Sequence, residues 1–113
     1  MTMHKFVMKM SQRWNYRTFI KNKKQPVTIV GQLLKTQEEI IEWKSSGSIF
    51  ELADVMITIA GLRNHDRPLA DMFEITILSM ITVPRWILSL AILIKLIINI
   101  FRKWKKVNGV WHH

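Results

Sequence analysis

Five of the eight acidic residues in a chain of formal charge +9 fall between Glu38 and Asp54, in the stretch EEIIEWKSSGSIFELAD. They form two clusters, Glu38-Glu39-x-x-Glu42 and Glu51-x-x-Asp54, parted by a Ser/Gly-rich break from Ser45 to Ser48. Helical flanks would make this a hairpin with Glu42 opposite Glu51 and Glu39 opposite Asp54, the two pairs about 4.5 Å apart along the axes. Lys44 is the one cation inside the stretch. Carboxylates converging with so little compensation call for a bound metal. With no His or Cys close by, an all-oxygen ligand set suits Mg²⁺, with Mn²⁺ as its substitute, and not zinc.

The elements that must position these groups are legible in outline. Val27, Val30, Leu33, Leu34, Ile40 and Ile41 keep to one stripe, so the first cluster rides on an amphipathic helix that Pro26 opens. On that helix Glu38 borders the stripe, and Glu42 and then Glu39 lie further round. From Ile49 to Leu62 nearly every direction is apolar, and Glu51, Asp54, Thr58 and Gly61 share one narrow sector. A helix apolar almost all round is buried. Its two carboxylates must then be paired or coordinate a metal, because bare burial of charge is too costly. Local capping is the competing account. Ser48-x-x-Glu51 has the form of a capping box, and Thr36-x-x-Glu39 repeats it inside a helix. Capping leaves Asp54 unexplained, along with the repulsion between Glu38 and Glu42 at i, i+4.

The rest of the chain reads as further helices. Phe6, Met10 and Trp14 stand at helical spacing in a basic N-terminal arm or helix over residues 1–25, a docking segment whose cations could also meet nucleic acid. A polar turn at Arg63–Pro68 precedes an apolar helix over about 69–82. A last helix from Pro84 to Trp104 carries Lys95, Asn99 and Arg102 on one face. Residues 105–113 read as an irregular tail. The expectation is one all-α domain over residues 1–113, a bundle of four to five helices.

Composition narrows the function classes. Without cysteine there is no disulfide, thiolate zinc site or cysteine nucleophile, which is compatible with a reducing cytoplasm. Residues 1–37 carry eight Lys/Arg and no acid, and residues 75–113 carry six and no acid, so anions are the expected partners. A membrane span is not expected, because Arg85 and Lys95 break the apolar runs of the C-terminal half well short of about 20 residues.

E-E-x-x-E followed by E-x-x-D in Glu51-Leu-Ala-Asp54-Val-Met-Ile, and then Lys95-x-x-x-Asn99-x-x-Arg102-x-Trp104, resembles the MazG-like all-α nucleoside triphosphate pyrophosphohydrolases and their dimeric dUTPase and dCTPase relatives. The resemblance covers about Gln32 to Trp104. It implies Mg²⁺ ligands at Glu39, Glu42, Glu51 and Asp54, with Glu38 as a supporting carboxylate. Glu38 or Glu39 would activate water, and Lys95, Asn99 and Arg102 would hold the triphosphate. It further implies a nucleoside triphosphate substrate and a bundle completed by homodimerisation or homotetramerisation. Two features depart from the family pattern. The linker of eight residues, Trp43 to Phe50, is short, and the final helix is unusually apolar. Trp14 or Trp43 is a candidate to stack on a base, with core packing as the alternative for each.

Overall fold

One helix touches all the others. α3 (Ile49–Leu62) is buried at every residue from Val55 to Leu62, as a helix apolar in nearly all directions must be. α1 (Met3–Asn15), α2 (Ile29–Ser46), α4 (Arg67–Met80) and α5 (Arg85–Ile100) pack around it. The computed structural model describes residues 2–102, 105–107 and 110–112, with side chains as far as Arg102. Leu52, Met56, Ile59 and Leu62 of α3 meet Leu88, Ile92 and Leu96 of α5 and Val7 of α1, all nearly or wholly removed from water. Full burial of such a side chain contributes roughly 1.5–3 kcal/mol.

The packing face of α1 differs from the one its apolar spacing suggests. Phe6 is exposed, and Met10 and Trp14 are only partly buried, whereas Val7, Met8, Ser11 and Asn15 face the core. Local hydrogen bonds make the polar pair acceptable there: Ser11 Oγ donates to Val7 O, and Asn15 Nδ2 to Ser11 O, both at 2.8 Å. A π-helical stretch, Tyr16–Ile20, continues α1 and closes where Lys21 N donates to Tyr16 O at 2.8 Å.

α2 departs further. Pro26 does not open it; Thr28 does, its hydroxyl accepting from Gly31 N at 3.0 Å. Of the expected apolar stripe, Val27 is buried and Leu33 and Ile40 pack on the core, but Val30, Leu34 and Ile41 point outward at 61%, 52% and 65% exposure. The inward face is Gly31, Gln32, Thr36 and Glu39. Glu39, expected to lie furthest from the buried side, is the most buried carboxylate of its cluster.

α4 starts at Asp66, which accepts from Leu69 N at 3.1 Å, and α5 follows Pro84. Five α-helices among the described residues match the all-α expectation. The tail does not match its reading as irregular. β1 (Lys105–Val107) and β2 (Val110–His112) pair antiparallel, with Val107 opposite Val110. The intervening Asn108-Gly109 lies outside the described residues, but that dipeptide is the strongest short hairpin signal in a sequence. Among the described residues no helix is long and apolar enough to cross a membrane.

Candidate functional site

The α2–α3 reversal takes two residues. Gly47 adopts φ 68°, its amide donating to Trp43 O at 2.8 Å, and Ser48 then caps α3. Glycine enters this left-handed conformation without the penalty a Cβ brings. The short linker therefore does not keep the acidic clusters apart. One carboxylate oxygen each from Glu39, Glu51 and Asp54 lies within 4.8 Å of the others. Glu39 thus meets both acids of α3. Glu38 and Glu42 stay at the exposed rim and outside this trio.

The capping account of Glu51 fails on geometry. Ser48 Oγ accepts from Phe50 N at 3.2 Å, but the Ser48 amide, which Glu51 would have to receive, donates to Ser46 Oγ at 3.1 Å. Glu51 Oε2 is buried with no hydrogen-bond partner among the described residues, and so is Glu39 Oε2, on a side chain 8% exposed. Unpartnered oxygens on two of the three converging carboxylates fit a hard divalent cation, and the oxygen-only donor set fits Mg²⁺ or Mn²⁺.

Lys44 is not the nearby cation. It lines a separate groove with Met72 and Met80. Lys35 Nζ lies 3.1 Å from Glu39 Oε1 and 3.6 Å from Glu38 Oε2, and Lys95 Nζ lies 3.2 Å from Asp54 Oδ2. The lysines do not offset the cost of burial and mutual repulsion. Burial above all holds Glu39 and Asp54 above the usual carboxylate range; Lys35 and Lys95 oppose this, and neighbouring carboxylates add to it. Glu42 is raised as well, by partial burial and then by Glu39 and Glu38.

An open bowl of about 270 Å³ gathers these groups. Glu38, Glu39, Glu42, Glu51 and Asp54 face Lys35, Lys95 and Arg102 across it, which leaves a net charge of −2. Behind the bowl, and sharing Lys35, Glu39, Asp54 and Arg102 with it, a recess of about 50 Å³ opens between α1 and α3. Asn99 lines the recess and not the bowl; it is buried on the same face of α5 as Lys95. Trp104, the last position of that motif, lies outside the described residues.

The recess walls are Trp14, Phe19 and Val27, with Asn15, Gln32 and Thr58 supplying polar atoms. The Trp14 and Phe19 rings meet edge to face, their centroids 5.4 Å apart. α3 anchors both amides, because Asn15 Nδ2 donates to Ile57 O at 3.1 Å and Gln32 Nε2 to Thr58 O at 2.9 Å. Gly61 makes room for them: a Cβ there would stand 2.6 Å from both Asn15 Oδ1 and Gln32 Nε2. Sequence reasoning raised Trp14 but missed Phe19, Asn15 and Gln32. The available signal was Gly61, a helix-weakening residue inside a core helix. Trp43, the other aromatic considered, packs against the core.

No protein-family model, no curated protein and no solved structure matches this chain.

Proposed function

We propose that the chain is a Mg²⁺-dependent nucleoside triphosphate pyrophosphohydrolase, converting an NTP or dNTP to the monophosphate and pyrophosphate. The observation that carries this reading is the bowl itself, where three converging carboxylates face Lys95 and Arg102. A net charge of −2 repels a bare triphosphate, so acids and cations lining one bowl make sense for a metal–triphosphate complex. The resemblance of both motifs to the MazG-like enzymes supports the same conclusion.

Glu39, Glu51 and Asp54 would hold the ion, with Glu42 at the rim as a further ligand. The bound ion supplies Lewis-acid neutralisation of phosphate charge. Lys95 and Arg102 neutralise the remaining phosphate oxygens, Lys95 as a point charge and Arg102 as a planar fork. Asn99, one turn from Lys95, orients the substrate at the mouth of the recess. Glu38, outside the trio, would orient the attacking water; Glu39, the other candidate base, belongs to the trio. The water, giving up a proton to Glu38, adds at the α-phosphorus. The bond from that phosphorus to the α–β bridging oxygen breaks, and pyrophosphate leaves with the bond's electron pair. The recess behind the bowl takes the base end against Trp14 and Phe19.

Assembly belongs to the same proposal. α5 leaves Trp86, Leu90, Ile94, Ile97 and Phe101 exposed along one stripe, and Val30, Leu34 and Ile41 do the same on α2. Apolar faces of this extent mark protein contacts, which supports a homodimer or homotetramer that completes the bundle. On this reading the protein works in the cytoplasm, where its substrates are.

The test is incubation with each NTP and dNTP plus Mg²⁺, with Asp54→Ala as control. Pyrophosphate released by the wild type alone supports the reading. No release from any nucleotide, or undiminished release by the variant, overturns it.

A further inference from the structure

Every fourth residue from Lys5 to Lys21 is basic: Lys5, Lys9, Arg13, Arg17 and Lys21. All five are exposed, and none has an ion-pair partner among the described residues. In an uninterrupted α-helix a four-residue spacing creeps about 40° per step, so such a row would wind away from any straight ligand. Here the wider π-helical stretch Tyr16–Ile20 offsets that drift, and Arg17 and Lys21 line the same depression, of about 340 Å³, as Lys9 and Arg13. A second depression of about 550 Å³, reaching Lys5 and Arg67, shares Lys9 and Gln12 with the first. Together they make a trench along α1, with Asn64 Nδ2 donating to Gln12 O at 3.0 Å across its floor. The acids of the trench, Asp71 and Glu74, lie at one end and are both paired with Arg63. The first depression shares no lining residue with the acidic bowl.

We infer that this trench binds the backbone of single-stranded nucleic acid. The five cations span roughly 24 Å at about 1.5 Å per residue, long enough for several phosphates of one strand. These lie ~3.4 Å apart along the axis when stacked as in a duplex and further apart when extended. Tyr16, 46% exposed and set among the cations, gives a base a face to stack on, the combination that sequence-tolerant single-strand binders use. An anionic bilayer fits less well. The row lines a depression with Gln12 and Asn64 among its walls. Of the apolar residues of α1 only Met3 and Phe6 are exposed, while Val7 and Met8 are buried in the core and Met10 and Trp14 half-buried, too few for an apolar face in lipid. The trench would bring the chain to a strand whether or not the bowl hydrolyses nucleotides.

Fluorescence anisotropy with a labelled oligodeoxythymidylate tests this, using the full chain and Mg²⁺-free buffer. The wild type binds, and log K falls with log salt at a slope of about −0.7 per phosphate neutralised, about −3.5 for five. Arg13→Gln/Arg17→Gln flattens the slope by about 1.4. Tyr16→Ala weakens binding roughly tenfold at unchanged slope, and Lys44→Gln, outside the trench, changes neither. Circular dichroism of each variant confirms an intact helical fold. No binding, binding indifferent to the Arg13/Arg17 change, or equal competition by phosphatidylserine vesicles and polyglutamate would each overturn the proposal.

Discussion

The two arms of the acidic hairpin follow different rules. α3 is surrounded, so its apolar residues point inward whichever way it is turned, and its few polar residues mark the site directly. α2 lies at the periphery, packed against α3 and approached by β2, with part of its surface open. It turns Gln32, Thr36 and Glu39 toward α3 while Val30, Leu34 and Ile41 face outward. Hydrophobic pattern thus locates the interior for a central helix. For a peripheral helix it confuses the core with a second apolar face. The inward turn of the polar side is tolerable because Gln32 Nε2 donates to Thr58 O, Thr36 Oγ1 donates to Gln32 O and Lys35 pairs with Glu39.

Substitutions can break or sharpen this contrast. Met56→Ala on α3 should cost roughly 2–5 kcal/mol in denaturant unfolding, because Met56 is fully buried. Leu34→Ala on α2 should stay within about 0.5 kcal/mol in the monomer. A Leu34→Ala cost that rises with protein concentration would show that another subunit covers this face. Next in size is Gly61→Ala, at roughly 1–3 kcal/mol, because the new methyl group displaces the Asn15 and Gln32 amides. The same variant should also raise KM for nucleotide. Ser48→Ala, which removes the α3 cap, should cost about 1 kcal/mol and leave KM alone.

The smallest effects come from charge and differ in sign. Asp54 is held above its ordinary value of 3.8, so the folded state binds more protons than the unfolded one as pH rises past that value. Its ionisation therefore removes stability with increasing pH. Glu39, raised from 4.5, acts in the same direction over a window starting there. Glu74, held below 4.5 by its contact with His4, contributes stability that is lost as pH falls below that value. His65, lowered from 6.5 by burial, opposes the raised carboxylates just below 6.5, so wild type is compared with variant at each pH. Without divalent cations, Asp54→Asn should melt above wild type at neutral pH, by a margin that narrows on acidification. With Mg²⁺ the order should reverse, since only the wild type gains from the ion. Glu42→Gln, at the rim, should keep most of the Mg²⁺-dependent rise. Equal melting of wild type and Asp54→Asn under both conditions would argue against a metal at the trio.

Much of this was legible in the sequence. The bounds of α3, the hairpin, and the polar face of α5 carrying Lys95 and Asn99 follow from periodicity and composition alone. What escaped depended on contacts distant in sequence. Lys95 as the cation beside Asp54, and the Asn15 and Gln32 amides on α3, arise only once α1, α2 and α5 are docked. The pairing of Lys35 with Glu38 and Glu39, by contrast, is local to α2 and readable from their spacing. Likewise Asn15 and Ser11 on the buried face of α1 carry no hydrophobic signal, because hydrogen bonds and not apolar area make their burial tolerable. The C-terminal ribbon, by contrast, had a readable cue in Asn108-Gly109.

The central claim is that the acids of the hairpin and the cations of α5 act on one triphosphate. Phosphorus NMR of the products, from wild type and Lys95→Gln with the preferred nucleotide and Mg²⁺, tests it most directly. The wild type should give monophosphate and pyrophosphate in equal amounts, and the variant should form both much more slowly. Orthophosphate with a nucleoside diphosphate, or a Lys95→Gln rate equal to wild type, would contradict it.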